Sequence, residues 1–86
     1  MPLMTRLIQF STPSCGQCPQ QKAILQQVAA DRPDIDFKTI DATESPDEAN
    51  KYGVRSVPST IVLDDEGTVV SKFDGLTQAD QITNAL

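Results

Sequence analysis

The sequence predicts an α/β fold in the order β-α-β-α-β-β-α, with a four-stranded mixed sheet and helices on both faces. Three observations carry that expectation. The segment Leu3 to Phe10 holds large apolar residues in both of its alternating sets, Met4/Arg6/Ile8/Phe10 and Leu3/Thr5/Leu7/Gln9, as a strand covered on both faces requires. A stretch of helical spacing separates it from a second alternating segment, which makes a parallel β-α-β start. Near the C-terminus two more strands flank Asp64-Asp65-Glu66-Gly67, a turn sequence that joins an antiparallel hairpin.

Each element has its own local cause. Ser11-Thr12-Pro13-Ser14 breaks the first strand with turn residues. From about Gly16 to Asp31, Cys18, Ile24, Leu25, Val28 and Ala29 mark one helical face; Pro19 falls in the first turn, where its missing N–H costs little, and Pro33 supports a stop near residue 31. Ile35 to Ile40 alternates as a less completely covered strand at a sheet edge. Ser45 and Glu48 predict a capping box around Pro46, and Gly53 ends that short helix. Strands at Thr60 to Leu63 and Thr68 to Phe73 form the hairpin, and Thr77-Gln78-Ala79-Asp80 starts a final helix carrying Ile82 and Leu86. Repeats and linkers are absent from the sequence, so residues 1–86 are expected to form a single domain.

Composition narrows the chemistry. The chain has 12 acidic and 7 basic residues, a net charge of −5, and no basic run, which argues against nucleic acid as a partner. The apolar runs fall far short of the ~20 residues that cross a bilayer, so no membrane partner is expected. The first residues lack the pattern of a signal peptide, which points to a reducing cytoplasm. With no histidine, Cys-His couples and histidine-ligated zinc are excluded. Charge is also segregated: residues 1–30 contain Arg6 and Lys22 and no acid, whereas all 12 acids lie beyond them. Both cysteines, Cys15 and Cys18, lie in that acid-free third.

A Cys-x-x-Cys pair has three readings. A structural staple would close a very short loop, worth ~2 kcal/mol, and a reducing compartment would open it. A metal or iron–sulfur site needs further ligands, obtainable only if a dimer shared its cysteine pairs. A redox dithiol fits best at a strand-to-helix junction in a β-α-β context. On that reading Cys15, just ahead of the helix, is the nucleophile, because free N–H groups and the helix dipole favour its thiolate. Cys18, one turn on, is the resolving thiol, and Gly16 and Gln17 between them tune the pair. No metal or organic cofactor is called for, since the redox-active disulfide Cys15–Cys18 stores the electron pair.

The chain resembles the thioredoxin superfamily. The resemblance rests on Phe10 to Cys18 (FSTPSCGQC), on Lys51 to Ser59 (KYGVRSVPS) and on Gly75 between the last strand and helix. It implies a thioredoxin-like fold of minimal, glutaredoxin-like size, and a monomeric dithiol–disulfide oxidoreductase that reduces protein disulfides. A reductase or glutathione would recharge it. The resemblance also implies that Pro58 is a cis-proline beside the cysteines, that Val57 offers its backbone to an extended substrate peptide, and that Gly75 contributes to the same surface. Four departures stand out. Ser14 replaces the usual tryptophan, Gly16-Gln17 the usual Gly-Pro, and Gln9 the buried aspartate that serves the resolving thiol. Phe37 is expected where the family carries a nearby lysine. A glutaredoxin-like enzyme is the alternative, with Arg55 and Lys22 as contacts for a glutathione carboxylate; Tyr52 is expected to serve packing.

Overall fold

The computed structural model describes residues 4–86. Within them the order is β1 (Thr5–Ser11), α1 (Cys18–Asp31), β2 (Ile35–Asp41), α2 (Pro46–Lys51), β3 (Ser59–Leu63), β4 (Val69–Asp74) and α3 (Ala79–Ala85). The strands lie in the order β2-β1-β3-β4, with β1 parallel to β2 and antiparallel to β3, and β3 antiparallel to β4. This is the expected mixed sheet, with β2 at an edge. Leu3, expected in the first strand, lies outside the described residues. At the other end β1 runs one residue further than expected, to Ser11, because parallel pairing continues to Asp41.

Both faces of β1 are covered. Leu7 joins Leu25 and Val28 of α1, Val62 of β3 and Ile82 of α3 in one buried cluster. Ile8 and Phe10 point the other way and pack with Ile61, Leu63 and Ala49 of α2. Every residue of β3 is buried, whereas β4 exposes Val69 and Val70 at the far edge. Leu86 packs against the first cluster, as expected of the last helix.

Two helix starts differ from expectation. The Ser45–Glu48 capping box does not form: the Ser45 side chain makes no capping hydrogen bond. Asp41 organises that entry instead. Its backbone carbonyl accepts from the N–H groups of Glu44 and Ser45, and its carboxylate accepts from the N–H and hydroxyl of Thr43. A reciprocal box does form at α3, between Gln78 and Gln81. Gly53 ends α2 as expected; its φ of +68° is a left-handed conformation that a Cβ disfavours.

Gln21 is the main surprise in the core. It lies on the buried face of α1, fully enclosed, and clamps the start of α3 from 56 residues away. Its Nε2 donates to the Thr77 carbonyl at 3.0 Å, and its Oε1 accepts from the Thr77 N–H at 2.7 Å. Burying the amide is affordable only because both of its polar ends are engaged. Gln21→Ala strands both Thr77 groups and is expected to destabilise the fold by about 2–4 kcal/mol, read from urea unfolding. A loss within error of zero would contradict the clamp.

Candidate active site

β1 ends at the loop that carries the cysteines. Cys15 closes a turn by donating its N–H to the Thr12 carbonyl at 3.1 Å. α1 begins at Cys18, two residues later than expected, since its first helical hydrogen bond runs from the Gln21 N–H to the Gln17 carbonyl. Pro19 sits in the first turn, where the missing donor is one of those a helix leaves unpaired. The two sulfurs are joined as a disulfide, with Cα atoms 5.5 Å apart.

The two cysteines differ in access. Cys15 is half-buried, whereas Cys18 is 5% exposed. Among the described residues, the N–H groups of Gly16, Gln17 and Cys18 make no backbone hydrogen bond. The first turn of α1 contains no acid. Next to Cys15 in the chain, the segment from Gly16 to Cys18 therefore offers free N–H donors at the positive end of a 14-residue helix. A Cβ on Gly16 would meet nothing within 4 Å, and its φ is not positive, so packing does not demand glycine there.

Beneath Cys18 lies Gln9, 1% exposed. Its Nε2 donates to the Cys18 carbonyl at 2.9 Å, which ties the first residue of α1 to the middle of the sheet. Its Oε1 is buried without a partner, as is the hydroxyl of Thr60, which is paired with Gln9 on β3. On the other side the register places Thr39 beside Gln9, and both line a cavity of about 310 Å³ with Cys15, Cys18 and Lys22. Phe37, expected where the family carries its nearby lysine, pairs with Leu7, two residues from Gln9 on the same face of β1, and packs on the core. The row Thr39, Gln9, Thr60 therefore presents amide and hydroxyl groups, none of which ionises near neutral pH.

The remaining expected residues gather at the same edge of the sheet. Ser59 pairs with Phe10, which sets Pro58 beside the end of β1. The Val57–Pro58 bond is cis, and the Pro58 carbonyl accepts from the Gly75 N–H at 2.9 Å. Gly75 has φ +81°, the conformation that turns the chain from β4 towards α3. Val57 lines a second cavity of about 300 Å³ with Thr12, Val54 and Arg55. Arg55 thus lines this second cavity and Lys22 the first. Tyr52 packs on Phe10, ring centroids 6.0 Å apart. Among the described residues no three His, Cys, Asp or Glu side chains are grouped as metal ligands would be.

The thioredoxin family model matches residues 3–86. The chain is similar to the SPbeta prophage-derived thioredoxin-like protein YosR of Bacillus subtilis (strain 168), 39% identical over 70 residues that make up 81% of each chain. It is also similar to a thioredoxin of Methanocaldococcus jannaschii, 33% identical over 57 residues, 65% of this chain and 67% of that one. Among solved structures, thioredoxin 1 of Thermosipho africanus TCF52B superposes with a TM-score of 0.81 at 25% identity, covering 93% of this chain and 88% of the other.

Gln9 supplies a test of the proton chemistry at Cys18. In the natural chain the attack of Cys18 on a mixed disulfide is expected to show no limb in the carboxylate range, from about pH 4 to about pH 7. Gln9→Asp adds one, displaced upwards from the ordinary aspartate value because burial disfavours the charged form. Single-turnover release of substrate across that range reads both. A carboxylate limb in the natural chain would refute the neutral site.

Proposed function

We propose unequal roles for the two sulfurs of a chain that belongs to the thioredoxin family and is a thiol–disulfide oxidoreductase. The Cys15 thiolate attacks one sulfur of a substrate disulfide; that S–S bond breaks, and the expelled substrate thiolate takes a proton from solvent. A mixed disulfide remains. Cys18 then loses its proton and attacks the Cys15 sulfur, expelling the second substrate thiolate. The substrate gains two electrons and two protons, and the pair ends as the Cys15–Cys18 disulfide. The observation that carries this reading is the inequality of the pair: a reachable sulfur ahead of the helix, bonded to a buried one in its first turn.

Family membership points to protein disulfides as substrates and to a reductase as the partner that restores the dithiol. Val57, Pro58 and Gly75 form the docking edge in this proposal. Among the described residues, neither the N–H nor the carbonyl of Val57 makes a backbone hydrogen bond, so both are available to an extended peptide. Gly16 and Gln17 set the poise of the thiols through the backbone groups beside them. The electron pair resides in the two sulfurs, and the reaction as proposed involves no metal or organic cofactor.

A glutathione-dependent, glutaredoxin-like activity is not favoured, because the matches are to thioredoxins and Lys22 and Arg55 lie in separate cavities. Among the described residues no helix is long and apolar enough to cross a membrane. We place the protein in the cytoplasm as a single-domain monomer, in keeping with a redox pair that must be kept reduced.

Insulin reduction with dithiothreitol tests the assignment. The natural chain is expected to accelerate it well beyond the rate with dithiothreitol alone, and Cys15→Ser to abolish the acceleration. Cys18→Ser is expected to accumulate mixed disulfides, visible by mass spectrometry. An unaccelerated reaction would sink the oxidoreductase reading. Trapping by Cys15→Ser rather than Cys18→Ser would reverse the roles.

A further inference from the structure

The charge around the dithiol is opposite to that of the chain. The protein carries a net −5, yet none of its 12 acids lines the cavity at the cysteines or the second cavity, which shares Thr12 with it. The only charged side chain in the first cavity is Lys22, one helical turn beyond Cys18 on α1. The only one in the second is Arg55, on the segment leading to Val57 and Pro58. Both are exposed. Among the described residues the ion pairs are Arg32–Asp34 and Lys72–Asp74, so neither cation is neutralised by a partner.

The acids on the elements around the site are engaged elsewhere: Asp74, which precedes Gly75, accepts from the Ser59 hydroxyl at 3.3 Å and pairs with Lys72 at 3.7 Å. Asp41, opposite Ser11 at the end of the sheet, is bound by Thr43. Asp47 and Glu48 are on α2, but Pro46, Ala49 and Asn50 are the residues of that helix that face the second cavity. Net charge and local charge therefore make opposite predictions about an acidic partner. Screening decides between them. With a Debye length of about 8 Å at physiological salt, acids elsewhere on the surface are largely masked, while cations at the rim of the site act at contact range.

We propose that the preferred substrates are protein disulfides flanked by carboxylates, with an acidic side chain on one side of the reactive cysteine reaching Arg55 and another on the opposite side reaching Lys22. An apolar residue next to that cysteine occupies the wall formed by Val54 and Val57. This inference rests on the oxidoreductase reading above and concerns which disulfides it selects. The exchange itself is unchanged: the same two sulfur-to-sulfur transfers, with the substrate reduced and the pair oxidised.

Three disulfide-linked peptide pairs of one core sequence test it, with Glu, Gln or Lys flanking the cysteines. Each catalysed kcat/KM is divided by the rate of the same peptide with dithiothreitol alone, which removes the intrinsic effect of the flanking charge on disulfide reactivity. The Glu peptide is expected to exceed the Gln peptide by about two- to fivefold at low salt, with the Lys peptide slowest. Molar salt closes the gap. The Glu-to-Lys ratio is expected to fall in Lys22→Glu and Arg55→Glu and to invert in the double variant. Because the ratio is taken within one protein, an altered overall activity or fold content cancels. Equal rates, a faster Lys peptide, or ratios insensitive to both substitutions would overturn the proposal while leaving the oxidoreductase intact. Failure to reduce any of the three, the Gln peptide included, would overturn both.

Discussion

The structure depends on the burial of both faces of β1. Leu7 on one face and Ile8 and Phe10 on the other are each worth about 1.5–3 kcal/mol when withdrawn from water, and no single helix can cover both sides. The chain meets this constraint by sending α1 and α3 to one face and α2 to the other. The sheet directions then determine what gathers at one edge. β1 and β4 finish there and the antiparallel β3 begins there, so the cysteine loop, Pro58 and Gly75 meet although they are far apart in the chain. This is a crevice at the carboxyl end of a central strand, where the connections diverge to opposite faces and open α/β sheets place their sites.

The alternating patterns, the hairpin, Gly53 and the cysteine pair were legible because their causes are local. A strand covered on both sides and a Cys-x-x-Cys before a helix can each be read from a few neighbouring residues. Gln9 and Gln21 could not be read in the same way. Each is a polar residue on a core face, made tolerable by hydrogen bonds to Cys18 and to Thr77 that only the folded chain supplies. The departure at Gln9 was visible by resemblance, but its cross-strand neighbour Thr39 was not. Phe37 and Thr39 share a face of β2, and only the parallel register decides which of them stands beside Gln9. Ser45 illustrates a competition for one donor: the Asp41 carbonyl takes the Ser45 N–H that the Glu48 side chain would accept in a capping box.

Gln9 also changes the chemistry beneath the buried thiol. A carboxylate there would accept the Cys18 proton, at the cost of a charge held in a poorly solvated place. The amide gives that up and instead anchors the helix start through the Cys18 carbonyl. A firm helix start is gained where a local ionisable base is lost.

The interior has a wider consequence for how the fold responds to acidity. The buried polar residues are Gln9, Gln21, Ser59, Thr60 and Thr77, and among the described residues no lysine, arginine, aspartate or glutamate is buried. Proton linkage needs a group whose affinity for protons differs between the folded and unfolded chain. Asp41 is one such group, held below its ordinary value of 3.8 chiefly by the Thr43 hydroxyl, and it is open to solvent. A depressed carboxylate contributes stability above its unfolded value and loses it only as the pH falls towards the folded one. Among the described residues, a fall in pH therefore has no Asp, Glu, Lys or Arg inside the fold to charge or discharge.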